Sequence, residues 1–368
     1  MSSDPGFELK PTTTPLPAAE REKFLKDLGF GRVFTEHMVT IRYQAGSGWG
    51  KGLLSPYAPI SLDPAASVLH YGQAIFEGFK AYRQPDGGIA TFRPSANAQR
   101  FNNSAARLAM PALPVERFVT AADLLIRQEQ AWVPPNPGES LYLRPLMIAT
   151  EAALGVRPAK EYLFLLFGSP SGAYFAQGVK PLSVWLSKEY VRAAPGGTGE
   201  AKCAGNYAAS LIAQQQALDA GCQQVVWLDS VHKRFVEEMG GMNLFFVYKD
   251  GGSSRPRIVT PKLTGTLLPG ITRDSLLTIA KDLGYSAEEG TISIDDWERD
   301  VKNGTLTEVF ACGTAAVITP VGEVKHAGGS YLVNNGETGP VAQTLRDALL
   351  AVQHGTAPDV HGFMHRVP

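Results

Sequence analysis

GEAKCAGNYAAS, residues 199–210, places a lysine where a long charged side chain has little company. Ala201, Cys203, Ala204, Gly205 and Asn206 flank Lys202, and the one nearby acid is Glu200. Directly downstream, YAASLIAQQQALDAG reads as a helix. A loop lysine is ordinarily just solvated. Small neighbours on both sides permit burial, however, and burial favours a neutral amine, a nucleophile suited to a Schiff base with a carbonyl compound. Tyr207, at the helix entrance, could hydrogen-bond a phenolate-like oxygen beside such an imine.

Further along, FVEEMGGMNLFFV puts two acids, Glu237 and Glu238, into an otherwise apolar strand and turn. Strand alternation sends them to opposite faces, so one is expected to be exposed and the other directed inward. An inward carboxylate could hold a heteroaromatic nitrogen protonated, and Gly240–Gly241 would let something flat approach the backbone. LLPGITRDSLL sets Pro269 and Gly270 before a helix whose first N–H groups, near Ile271 and Thr272, offer an anion site. ACGTAAV adds a second small-residue turn, where Thr314 and Ala315 present a hydroxyl and amides. Arg100, in NAQRF, could add a fixed charge to the same anion or simply lie at the surface.

The whole chain frames these features. Its 368 residues suffice for two domains, and 44% hydrophobic with 19% charged residues is an ordinary globular balance. A net charge of −1 argues against nucleic-acid or membrane-surface partners and in favour of small molecules. Cys203, Cys222 and Cys312 are widely spaced without a CxxC pair, and the histidines are scattered, so neither a disulfide framework nor a metal is expected. The opening MSSDPGFELKPTTTPLPAAE looks like neither a signal nor a transit peptide and reads as an extended arm or loose tail. No apolar run approaches a membrane span, and the expected compartment is the cytoplasm.

HMVTIRY reads as a strand, GFKAYR and IATFRP as a hairpin across QPDGG, and SLYLRPLMIAT and EYLFLLFGS as buried strands. Ser95 is placed as the cap of ANAQRFNNSAARLA, and Thr120 with Asp123 as a capping box opening AADLLIRQEQAW. NLFFVYKDG and RPRIVTPKL look paired; TRDSLLTIAKDLG and VAQTLRDALLAVQ read as helices. The pattern weakens in FAQGVKPLSVWL, giving a smaller first domain at 1–175, a linker at 176–186 and a larger second domain at 187–368. Strands and helices mix without strict βαβ alternation, so the fold class is α+β.

Taken in order, LHYGQAIFEGFKAYR, RPSANAQRF, YLRP, GSPSGAYF, AKCAGNYAAS, EEMGGMN, LLPGITR and FACGTAAVITPV closely resemble the branched-chain amino-acid aminotransferases, pyridoxal phosphate enzymes of fold type IV. The likeness runs from about Phe34 to Val321. It implies a small N-terminal α/β domain and a larger mixed domain with pyridoxal 5'-phosphate between them. By the same resemblance, Lys202 is the catalytic lysine that carries the cofactor, Tyr207 bonds its ring oxygen, and Glu238 partners its pyridine nitrogen. Arg100, Ile271, Thr272 and Thr314 match the phosphate cup, and Thr314 with Ala315 the turn that meets the substrate carboxylate. Phe34, Phe76, Tyr142 and Tyr174 match the side-chain pocket, while Tyr71 and Val156 match residues lent by the neighbouring subunit of a homodimer with shared active sites.

Arg144, beside Tyr142, would receive the second carboxylate of glutamate. The implied reaction moves an amino group between leucine, isoleucine or valine and 2-oxoglutarate in ping-pong fashion. A D-amino-acid aminotransferase and an aminodeoxychorismate lyase share the fold and stand as alternatives; a non-catalytic cofactor-storage protein is the reading from another class. Where some vertebrate members carry a CxxC redox pair, this chain has Ala316 and Thr319.

Overall fold

The computed structural model describes residues 6–172, 180–249 and 255–368. The chain divides into two compact units: Met1–Ala176 with Ala201–Gly205 and Ala351–Pro368, and Gln177–Glu200 with Asn206–Leu350. The five residues around Lys202 thus belong to the first unit although the chain on either side belongs to the second.

In the first unit the described strands form one sheet in the order Phe7–Leu9, Gly52–Pro56, His37–Gln44, Glu161–Ser171, Ser140–Ala149, Phe79–Arg83, Ile89–Phe92 and Met364–Arg366. Ser140–Ala149 also pairs antiparallel with the short strand Ala74–Phe76. Helices Pro94–Arg107 and Val115–Gln128 contribute Phe101 and Phe118, which meet the strand residues Phe79 and Phe164 in a fully buried aromatic knot with ring centroids 5.6–6.0 Å apart. Burying each such ring contributes about 1.5–3 kcal/mol. The opening stretch is partly an arm: Phe7 is buried and its strand runs parallel to Gly52–Pro56, while Ala18–Lys26 is a helix with no buried residue.

Both capping expectations in this unit fail. Pro94, whose fixed φ suits the first helical position, starts its helix after Arg93 in the left-handed region at φ 48°, so Ser95 lies inside the first turn. The next helix begins at Val115 behind Pro114, five residues before Thr120; Asp123 is buried within it and faces His365 Nε2 at 3.0 Å.

The second unit's sheet runs Val236–Met239, Gln224–Leu228, Leu182–Leu186, Val317–His326, Leu306–Gly313, Met242–Tyr248, Arg257–Pro261 and Ser286–Gly290. Val236–Met239 also pairs with Met242–Tyr248, so six of these strands close into a ring. Leu182–Leu186, inside the stretch read as a linker, is hydrogen-bonded on both sides as an interior strand; its buried Val184 and Leu186 supply the packing that a bare connector lacks. Helices Ile271–Asp282, Ile294–Lys302 and Pro340–Gln353 complete the mixed architecture. No helix among the described residues is long and apolar enough to cross a membrane.

Candidate active site

Lys202 is held by its backbone. Its N–H donates to Ser104 Oγ at 2.9 Å, its carbonyl accepts from the Phe76 N–H at 3.0 Å, and Cys203 bridges Ile75. Ser104 comes from helix Pro94–Arg107 and Phe76 from strand Ala74–Phe76, so two elements fix residue 202 while leaving its side chain half-buried. Burial of the kind its small neighbours permit is therefore only partial. Lys202 Nζ stands 4.9 Å from the centroid of the Phe76 ring.

The same ring carries a second cation. Arg144 Cζ lies 4.8 Å from the Phe76 centroid and 5.4 Å from that of Tyr142, and Arg144 Nη2 donates to the Tyr142 hydroxyl at 3.2 Å. Tyr142 and Arg144 share a face because they stand two apart on one strand. Phe30 packs edge-on against Tyr142 with centroids 5.0 Å apart. Phe34 stands a little apart, stacked on Tyr57 and edge-on to Phe167. Tyr174 lies outside the described residues.

Gly78 explains why the Tyr142 ring fits: a Cβ there would stand 1.8 Å from the phenol oxygen and 2.6 Å from Cζ. Gly78→Ala is expected to push the ring from its place at a cost of about 1–3 kcal/mol. A thermal melt reads the stability loss. Unaltered melting would mean that the ring has room to move.

Arg100 is buried rather than at the surface. Its Nε and Nη2 reach Glu77 Oε1 and Oε2 at 2.7 and 2.8 Å, a bidentate pair with a carboxylate that is itself fully buried. Tyr71, at the end of helix Ser67–Tyr71, donates its hydroxyl to the Leu154 carbonyl. Tyr71, Leu69, Leu154 and Val156 are all exposed.

In the second unit, register assembles another set. Glu238 pairs with Asn243, and Asn243 with Cys312, aligning three neighbouring strands next to the Gly313–Ala316 turn that holds Thr314 and Ala315. Asn243 Nδ2 donates to the Leu268 carbonyl at 3.1 Å, anchoring the chain that leads into helix Ile271–Asp282. Its Oδ1 would lie 2.0 Å from a Cβ at position 270, so that position needs glycine. The helix N-terminus at Ile271 and Thr272 has no capping side chain. By contrast, Glu308 receives the Val341 and Ala342 N–H groups at 3.0 and 2.8 Å, and Ser293 caps the helix at Ile294. Tyr207 lies over Gly241, where a Cβ would be 3.6 Å from its Cε1.

Both acids of the EEM motif are buried, which corrects the expectation that one is exposed. They do face opposite ways, but each face is covered. Glu237 Oε1 accepts from Thr266 Oγ1 at 2.5 Å, and burial pushes its carboxyl above the usual range. Glu238 Oε1 accepts from the Leu268 N–H at 2.5 Å, and Arg192 Nε stands 3.1 Å from Oε2. Arg192 also donates to the carbonyls of Thr266 and Gly199 at 2.9 and 3.1 Å, so its guanidinium is the countercharge that allows a carboxylate to be buried there. The sequence reading missed Arg192, whose only local signal is an isolated charge just ahead of APGG.

Residues 74–324 match the family described as amino-transferase class IV. The chain belongs to the class IV aminotransferases. A Streptomyces coelicolor protein named as a probable branched-chain-amino-acid aminotransferase is 61% identical over 98% of both chains. The branched-chain-amino-acid aminotransferase of Mycolicibacterium smegmatis is 57% identical over the full length of both. Among solved structures, the T.th. branched-chain amino acid aminotransferase with pyridoxamine 5'-phosphate has a TM-score of 0.72 at 30% identity, covering 89% of this chain and 98% of that one. The Escherichia coli enzyme has a TM-score of 0.72 at 29% identity, covering 89% and 99%.

Class IV aminotransferases use pyridoxal 5'-phosphate, and the chemistry present fits it: an amine for the aldehyde, a buried carboxylate for the ring nitrogen and an uncapped helix N-terminus for the phosphate. His361 and His365 fall four residues apart, yet no group of three potential metal ligands occurs among the described residues. All three cysteines are buried and free, and burial pushes the Cys222 and Cys312 thiols up, away from nucleophilic chemistry.

Proposed function

We propose that this chain is a branched-chain-amino-acid transaminase that exchanges the amino group between L-leucine, L-isoleucine or L-valine and 2-oxoglutarate. The observation that carries the reading is the Phe76 ring flanked by the Lys202 amine and the Arg144 guanidinium. When bound, pyridoxal phosphate supplies an aldehyde to hold the amine and a ring to accept electron density from Cα.

The residues divide the remaining work. Lys202 would hold the cofactor through its side-chain amine and would carry a proton to and from the substrate's Cα, which requires a neutral amine. Glu238 holds the proton on the ring nitrogen. Ile271, Thr272, Thr314 and Arg100 receive the phosphate, and Tyr207 bonds the ring oxygen. Thr314 and Ala315 take the substrate's α-carboxylate. Phe34, Phe76 and Tyr142 exclude water from a branched aliphatic chain, whose burial contributes about 1.5–3 kcal/mol.

Glutamate differs by a second carboxylate, and Arg144 with the Tyr142 hydroxyl answers it. Arg144→Ala is expected to raise KM for glutamate and 2-oxoglutarate by about tenfold or more while leucine kinetics change far less. Equal losses on both substrates would make Arg144 a structural residue. A panel of 2-oxo acids against glutamate tests the whole assignment. Ping-pong turnover with the branched acids is expected; D-alanine turnover, or pyruvate release without an amino acceptor, would instead favour the sister activities.

The exposure of Leu69, Tyr71, Leu154 and Val156 supports a homodimer in which Tyr71 and Val156 reach the neighbouring active site. The cytoplasm is the compartment this small-molecule chemistry suits.

A further inference from the structure

Lys202 and Arg100 are linked to each other twice over. On one side, the Lys202 N–H donates to Ser104 Oγ at 2.9 Å, and the Ser104 hydroxyl donates in turn to the Arg100 carbonyl at 3.0 Å. On the other, the Lys202 carbonyl accepts from the Phe76 N–H at 3.0 Å. The next residue, Glu77, holds the Arg100 guanidinium at 2.7 and 2.8 Å. Phe76, Glu77, Arg100, Ser104 and Lys202 thus close a ring, all within the first unit.

Glu77 is the stiff link of that ring. It is fully buried, its N–H donates to the Pro145 carbonyl at 2.8 Å, and its Oε2 also accepts from the Gly78 N–H at 3.2 Å. An arginine head on its long stem turns easily, whereas a bidentate carboxylate fixes the plane of the fork. Stability is a weak reason for such a pair, since desolvating two charges offsets most of their attraction. Aim is a better one. Pyridoxal phosphate carries its aldehyde and its phosphate on one rigid ring, so an amine and a guanidinium that serve the two must keep a fixed separation.

We propose that Glu77 is a positioning residue: it holds the Arg100 guanidinium in place relative to Lys202 and so sets the grip on the cofactor's phosphate. This rests on the reading that Arg100 receives the phosphate and Lys202 the aldehyde.

The test uses the full-length enzyme, freed of cofactor and titrated with pyridoxal 5'-phosphate or with pyridoxal, which has the aldehyde but no phosphate. The visible band of the lysine-bound aldehyde reads both affinities. Glu77→Asp keeps the charge but falls one methylene short; Glu77→Gln keeps the reach but replaces an acceptor oxygen with NH₂. Both are expected to weaken pyridoxal 5'-phosphate about tenfold and to leave pyridoxal nearly unchanged. If charge alone mattered, Glu77→Gln would tighten phosphate binding and Glu77→Asp would not alter it. If Glu77 were merely structural, the two affinities would fall together or not at all. Either result overturns the proposal. Arg100→Met separates the proposal from its premise. A selective loss of phosphate binding there, with none in Glu77→Asp, ends the role of Glu77 alone. No selective loss in Arg100→Met removes the phosphate role of Arg100, and the proposal with it.

Discussion

Lys202→Ala is expected to lower turnover by about 10⁴-fold and to abolish the visible absorption band of the lysine-bound aldehyde. The reason is chemical, not structural. Two main-chain hydrogen bonds tether residue 202, to Ser104 Oγ and from the Phe76 N–H. Alanine keeps these bonds and the bridge between Ile75 and Cys203. It removes the side chain whose amine sits over the Phe76 ring, the group asked to be both attachment point and proton carrier. Thermal melting without cofactor should therefore shift little. A variant that stays yellow and active, or borohydride trapping that places the pyridoxyl group on another lysine, would end the assignment.

Glu238→Gln is expected to slow proton transfer at Cα by about 10²–10³-fold with a much smaller loss of cofactor affinity. The amide keeps the shape and can still accept from the Leu268 N–H. It gives up the negative charge proposed to hold a proton on the ring nitrogen, and its own NH₂ must face the Arg192 guanidinium, donor against donor. Stopped-flow single turnovers with leucine isolate that step. An unchanged rate would move the role to Glu237, against the present geometry. Glu238 is register-matched to Asn243 and Cys312, next to the Thr314 turn, whereas Glu237 points to the opposite face and to Thr266.

Elements with long, regular apolar patterns were legible: EYLFLLFGS, SLYLRPLMIAT and the helix through Leu276, Ile279 and Ala280 all form where periodicity puts them. Boundaries were less so. Proline at the first helical turn overrode the Ser95 and Thr120 caps. The helix Ile294–Lys302 escaped notice although Ser293 and Asp296 announce it: the Ser293 hydroxyl accepts from the Asp296 N–H and donates to its carboxylate. The strand Met364–Arg366 carries no periodic signal, because three residues depend wholly on pairing with Ile89–Phe92.

Short ordered motifs were enough to read the family and the cofactor from the sequence, since reacting groups must be of fixed chemical type with small residues around them. Only the tertiary structure brought Phe76, Tyr142, Arg144 and Lys202 together, because their distances depend on strand register and on five residues crossing into the other unit's packing. It alone revealed that Glu237 is buried along with Glu238, and that Arg192 forms an ion pair with Glu238. Alternation tells which residues face apart; what covers each face is decided by distant chain.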